Sequence, residues 1–256
     1  MQKCLQVNKN TRHRTSIIYE PQGRAREYAE LAANLYRGCD HGCIYCYAPL
    51  ATRTNRQEFH QPSVRTNVLE KFTKDARELA MIEEKRPILL SFTTDPYQHL
   101  DVREKLTRKA IEILHFYNLN VSILTKGGKR SERDFDLLSK RLELSEYGAT
   151  LVFTDEELRK EIEPFAAPTD ERITSLMHAH EMGVQTYVSL EPVWKTEQTL
   201  ELIDRTSDFV DFYKVGKLNY NPQQNTIDWK QFKNEVIEKL DKIKKHYYIK
   251  KDLQKL

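Results

Sequence analysis

Short apolar, β-branched runs alternate with amphipathic stretches along most of this 256-residue chain, and few folds accept that order. Strands are predicted at 31–36, 87–93, 120–125, 149–153, 184–190 and 209–215. Helices are predicted at 64–83, 104–117, 131–142, 170–182 and 197–205, with a closing helix over 229–245 and a short tail. Local signals support several of these ends. Asp170 opens one run, and Ser131 precedes Glu132 and Asp134, where acids suit a helix N-terminus. Gly183 follows Met182 as a helix stop. Repeated strand–helix alternation is the pattern of parallel βαβ units, and six fit before Tyr220. No Gly/Ser/Pro-rich linker divides the chain. A single α/β domain over 1–256 is expected, its chemistry at the carboxyl ends of the strands, whether the sheet is open or a barrel.

Composition narrows the class. Hydrophobic residues are 39% and charged residues 31%, which suits a globular chain. There is no apolar run near the roughly 18 residues that span a bilayer. The first residues lack the apolar stretch of a secretory signal, and four cysteines are too few for a disulfide scaffold of this length. No membrane association and a cytoplasmic location are the expectations. The net charge of +3 is unevenly spread. Residues 1–26 carry six basic residues and one acid, a basic N-terminal segment. Residues 228–256, the last helix and basic tail, carry nine lysines and five acids. Basic ends of this kind either track a phosphate backbone or are solvated faces.

Three of the four cysteines fall within eight residues, Cys39-Asp-His-Gly-Cys43-Ile-Tyr-Cys46; the fourth is Cys4. The cluster follows the first predicted strand, on the edge where α/β active sites form. Gly38 and Gly42 let the loop turn tightly and aim N–H groups at the sulfurs. Zinc wants four ligands and would need His41, Cys4 or a distant residue as the fourth. An iron–sulfur cluster normally takes four cysteines. Three leave one iron open for a small molecule, and that is the better fit to this triplet.

The string C-x3-C-x-Y-C resembles the signature of radical S-adenosylmethionine (SAM) enzymes. Its context, Gly23-Arg-Ala-Arg-Glu-Tyr…Asn34-Leu-Tyr-Arg-Gly-Cys…Cys46-Tyr-Ala48, is similar to the branch related to spore photoproduct lyase. Further blocks in the same order are Ser91–Gln98, Leu124-Thr-Lys126, Glu163-Pro164 before Arg172, and Tyr247–Leu253. The resemblance implies a partial (β/α)6 barrel with parallel strands. It implies a [4Fe–4S] cluster on Cys39, Cys43 and Cys46, SAM chelated at the fourth iron, and a reductant such as flavodoxin or ferredoxin. One-electron cleavage of SAM then gives a 5′-deoxyadenosyl radical that takes hydrogen from a substrate.

Under that resemblance, strand-end residues become candidates for holding SAM. Tyr45, between two ligands, would pack on the adenine. Thr93, Thr94 and Asp95 would accept from the ammonium. Lys126 would pair with the carboxylate. Ser189 and Glu191 end the fifth predicted strand as further cofactor-binding candidates. Tyr45 and Tyr47 match the lyase's relay tyrosines, which makes Tyr47 the catalytic candidate. Glu163 and Arg172 are expected to pair as a brace, and His41 to serve the loop rather than a metal. Phe92 stands where the lyase has its hydrogen-donating cysteine, so the resemblance implies the class of chemistry and not that repair reaction. DNA or RNA is the expected partner. The alternatives are a radical SAM enzyme acting on a peptide or small molecule, and a non-catalytic metal-binding protein.

Overall fold

The structure, a computed structural model, describes residues 16–256. Cys4 and the basic residues Lys3, Lys9, Arg12 and Arg14 lie outside them. Eight strands form one sheet in chain order: β1 (Ile18–Tyr19), β2 (Leu31–Ala33), β3 (Ile88–Leu90), β4 (Val121–Thr125), β5 (Ser145–Thr150), β6 (Gln185–Val193), β7 (Phe212–Lys217) and β8 (His246–Ile249). Only β1 runs antiparallel to its neighbour; β2 to β8 are parallel throughout. β1 and β8 do not pair, so the sheet is an open, partial barrel.

The helices cover one face. In α1 (Val68–Met81), Val68, Phe72, Ala76 and Leu79 recur at helical spacing and are buried. In α2 (Leu106–Phe116) the buried stripe is Leu106, Ala110, Ile111 and Leu114. These stripes pack on β-residues such as Ile88, Leu90, Val121 and Ile123, all wholly buried, in the main core. The inner face carries a small second cluster, Tyr28, Ala32 and Leu89, with Phe92 and Leu124 against it. One segment, Gly23–Glu27, shows how far the sheet curls. It leads into β2, yet Glu27 accepts from Tyr248 Oη of β8 at 3.3 Å and from the Lys251 N–H at 3.0 Å. Lys214 Nζ of β7 donates to the Tyr28 carbonyl at 3.2 Å. The two ends of the sheet are thus bridged from the side.

Several predicted elements are corrected. The strand expected at 149–153 is Ser145–Thr150; 151–153 are buried but leave the sheet. Glu146 and Gly148 break the apolar run that marks a strand, and the inner face explains the glycine. A Cβ on Gly148 would lie 2.4–2.6 Å from Tyr187 ring carbons. That ring lies across β5 at Gly148, and Tyr187 Oη donates to the Ile123 carbonyl of β4 at 2.7 Å. Gly148→Ala should therefore destabilise by about 1–3 kcal/mol through overpacking. Urea unfolding measures this, and an unchanged midpoint would remove the steric account.

The helix expected at 131–142 is broken into 3-10 turns around a short α segment, Phe135–Leu138, with Arg141 non-helical. The helix expected from 64 starts at Val68, because Ser63–Val64 pairs antiparallel with Tyr36–Arg37; that pairing also splits the predicted strand 31–36. The expected 104–117 helix is interrupted at Lys105, whose φ is 52°, after a separate turn His99–Glu104. The helix expected at 229–245 ends at Lys242. The tail after it holds β8 and a short helix, Lys251–Gln254. Two other helices match well, Thr169–Glu181 (α4) and Thr196–Thr206 (α5). The helix Glu156–Ile162 (α3), capped by Asp155 through the N–H groups of Glu157 and Leu158, was not predicted.

Candidate active site

A cavity of about 320 Å³ lies where the parallel strands end, a volume typical of small-molecule sites. Its lining follows strand order: the three cysteines after β2, Ser91–Asp95 after β3, Lys126 after β4, Thr150 of β5, Ser189 and Glu191 of β6, Lys217–Tyr220 at and after the end of β7, Lys250 and Asp252 after β8.

The cysteine loop is held by backbone. Cys39 N–H donates to the Phe59 carbonyl at 2.9 Å. Gly38 has φ of +75°, and a Cβ there would sit 2.3 Å from that same carbonyl oxygen, so no side chain fits. Ile44 N–H donates to the Ile162 carbonyl at 3.0 Å, and Phe165 N–H to the His41 carbonyl at 3.1 Å. Arg56 donates to the carbonyls of Cys43 (3.3 Å) and Cys46 (3.1 Å). All three thiols are free. Burial pushes the Cys43 thiol up to about 12, and it raises Cys39 and Cys46 as well. Metal ligation would deprotonate them.

His41 is not a fourth ligand in this arrangement. Its Nε2 lies 3.1 Å from Arg130 Nη2 and its Nδ1 3.5 Å from Asp95 Oδ2. Arginine only donates, so Nε2 accepts and Nδ1 carries the proton facing Asp95. Burial, with Arg130 helping and Asp95 opposing, lowers the imidazole to about 4 and keeps it neutral. Among the described residues, no three Cys, His, Asp or Glu side chains form a group able to hold a metal ion. Three thiols rimming a cavity, with small-molecule space beside them, fit a soft multi-iron cluster with room for a chelating partner.

The residues predicted to bind the cofactor or act in catalysis all line this cavity. Asp95 does so as a strut. It accepts from Thr125 Oγ1 (2.6 Å), Tyr97 N–H (2.8 Å) and Lys126 N–H (2.7 Å). Burial would raise its pKa, but His41 and these donors hold it below the ordinary carboxylate range. Thr94 is bonded to Ser91 Oγ, while Thr93 N–H donates to Asn34 Oδ1 at 2.9 Å. Tyr45 lines the cavity with its hydroxyl donating to Glu163, and its ring lies 6.2 Å from Trp194. Lys126 Nζ stands 5.7 Å from the Tyr45 ring centre and 3.9 Å from Glu163 Oε1. Tyr47 is 44% exposed at the mouth. The expected brace is present: Arg172 Nη2 meets Glu163 Oε2 at 2.6 Å, both fully buried.

Sequence reasoning missed part of the lining. Tyr28, Arg24 and Asp252 reach the cavity, and so does Lys250, which donates to both Glu191 oxygens at 2.9 and 3.1 Å. The quoted blocks around residues 23–28 and 247–253 contained them, but no periodicity marked them as neighbours.

A curled parallel sheet with a three-cysteine loop over the cavity at its strand ends has the build of an enzyme that works through a metal cluster. Residues 33–210 match the radical SAM superfamily, and the chain belongs to it. That family implies SAM and an iron–sulfur cluster. An uncharacterized protein of Methanocaldococcus jannaschii is 30% identical over 193 residues, covering 75% of this chain and 71% of that one. An uncharacterized protein of Mycobacterium tuberculosis is 28% identical over 167 residues, and the match spans only 48% of its length. Among solved structures, spore photoproduct lyase complexed with dinucleoside spore photoproduct superposes with a TM-score of 0.72 at 14% identity, over 93% of this chain and 79% of the lyase. Streptococcus suis SuiB bound to S-adenosylmethionine gives 0.64 at 15% identity, over 85% of this chain and 49% of SuiB. At these identities the likeness is one of fold. No helix among the described residues is long and apolar enough to cross a membrane.

Proposed function

We propose that this chain cleaves SAM reductively at a [4Fe–4S] cluster held by Cys39, Cys43 and Cys46, and acts on a nucleic acid or nucleotide. The observation that carries the reading is the convergence of the three thiols and the seven parallel strand ends on one cavity. Cys39, Cys43 and Cys46 would hold the cluster, which would supply, from a flavodoxin- or ferredoxin-type donor, the electron for reductive cleavage of SAM. The chain's own residues do the rest. Lys126 offers the SAM carboxylate a cation, and the Thr93 and Thr94 oxygens offer the ammonium acceptors. Asp95 fixes the loop that presents them. Tyr45 and Glu163 hold the cysteine loop to α3, and Ser189 lines the inner wall. Tyr47, at the mouth, faces the substrate side. For the substrate, the mouth exposes Tyr47, Tyr220 and Arg24, with Lys217 half-buried in the lining, a pairing of rings and cations that single-stranded nucleic acid selects.

The test is anaerobic reconstitution with iron and sulfide, dithionite reduction and chromatography for 5′-deoxyadenosine. Cleavage is expected, stimulated by single-stranded oligonucleotides and suppressed as salt rises. Absence of 5′-deoxyadenosine from a chain carrying its iron would sink the enzymatic reading. Stimulation by peptides and not oligonucleotides would sink the nucleic-acid part alone.

A further inference from the structure

Two side chains from one short element reach the backbone of all three cysteines from outside the cavity. The turn Arg56–Phe59 is started by Asn55, whose side chain accepts from the Glu58 N–H at 2.8 Å. His60 N–H donates to the Arg56 carbonyl at 3.0 Å, so the helical turn runs on to His60. Positions 56 and 60 are then one turn apart and share a face. Arg56 spans the Cys43 and Cys46 carbonyls, at 3.3 and 3.1 Å. His60 Nδ1 lies 3.0 Å from the Cys39 carbonyl. A carbonyl only accepts, so Nδ1 carries the proton. The Phe59 carbonyl completes the set by accepting the Cys39 N–H at 2.9 Å. Neither Arg56 nor His60 belongs to the cavity lining. Both act on the cysteines and not on what the cavity holds.

The charge is as informative as the bonds. Both acceptors of Arg56 are neutral carbonyls, so these bonds leave the guanidinium charge uncancelled. Burial raises the Cys46 thiol, and the Ala48 N–H, Lys126 and Arg56 oppose it. The cation thus favours negative charge on that sulfur. An electron added to an iron–sulfur cluster is negative charge at the same place, and cluster potentials respond to local charge and hydrogen bonding. We propose that Arg56 and His60 are positioning residues for the cluster: together they fix the backbone of its three ligands, and the Arg56 charge raises its reduction potential. The step affected moves one electron from a reduced carrier to the cluster, with no bond made or broken. This assignment rests on the [4Fe–4S] reading above. Arg56 is exposed, so solvent and salt screen part of its effect.

The experiment is an EPR-monitored redox titration of the reconstituted protein, without SAM, beside Arg56→Gln and Arg56→Lys. Arg56→Gln removes the charge and should shift the reduction equilibrium about tenfold toward the oxidised form, about 59 mV for one electron. Arg56→Lys keeps the charge and should stay within about twofold of wild type. A brace with no electrostatic role would move neither variant, or both alike. His60→Ala should release iron to EDTA about tenfold faster than wild type. Equal potentials for Arg56→Gln and wild type, or equal shifts in the two Arg56 variants, would overturn the assignment while leaving the cluster reading standing. Iron release from His60→Ala at the wild-type rate would overturn the part given to His60. If Arg56→Gln takes up no iron, Arg56→Lys decides: a wild-type potential supports the assignment, and a displaced one overturns it. A wild type that takes up no iron–sulfur cluster would overturn this assignment together with the reading it rests on.

Discussion

Cys43→Ala should leave the chain folded and strip it of its cluster. Reconstituted wild type is expected to hold about four irons per chain, and the variant under about a tenth of that. The 5′-deoxyadenosine yield should fall by at least about two orders of magnitude, since a ligand is lost and no spare one stands in the loop. The fold survives because the loop is held by backbone bonds, Cys39 to Phe59 and Ile44 to Ile162, and by Arg56 on two carbonyls; no cysteine side chain is needed for any of them. Iron and sulfide analysis with circular dichroism separates loss of metal from loss of structure. Cys4→Ala is the companion variant. A closed four-ligand site, as zinc would require, needs a further donor, and His41 is engaged by Asp95 and Arg130. If Cys4→Ala empties the site as Cys43→Ala does, the three-cysteine open-site reading is wrong.

The strands that position this site were legible where both faces of the sheet are apolar. Ile88–Leu90 and Val121–Thr125 read directly as buried runs. The cysteine triplet was legible from spacing alone. What hid the rest was chemistry specific to the inner face. Gly148 and Glu146 look like a turn, yet they lie within a strand because Tyr187 needs the space that a side chain on Gly148 would fill. β8 follows a lysine-rich helix end and is only four residues long, so His246–Ile249 read as tail. Its pairing with β7, which brings Lys250 to Glu191, is a long-range fact that local pattern does not carry. Tyr45, between two cysteines, was expected to hold its ring near the cluster and pack on the adenine. The bond from its hydroxyl to Glu163, a residue 118 positions away, left no mark in the local pattern.

That last contact sets the second large effect. Tyr45 of the cysteine loop, Glu163 at the end of α3 and Arg172 of α4 form one buried chain of bonds. Arg172 also donates to the carbonyls of Thr150 at the end of β5 (3.0 Å) and of Ala167 (2.8 Å). Burial alone would raise the Glu163 carboxyl, but the Arg172 guanidinium, Lys126 and the Tyr45 hydroxyl outweigh it and hold it below the ordinary carboxylate range. Arg172→Met would strand that carboxylate in the interior. The expected loss is about 3–5 kcal/mol of unfolding free energy, read by urea denaturation, with iron loading impaired because the loop loses its anchor. Glu163→Gln/Arg172→Met should cost less than the two single losses combined, since no charge is then left unpaired. The pH dependence has a defined sign. A carboxyl with its folded pKa depressed contributes stability above its unfolded value, about 4.3 for glutamate. That contribution is lost as pH falls from there through the folded value. Wild type should therefore weaken on acidification below about pH 5, and Glu163→Gln should flatten that limb. An Arg172→Met chain as stable as wild type, with the same acid limb, would show that the buried pair carries neither the stability nor the loop.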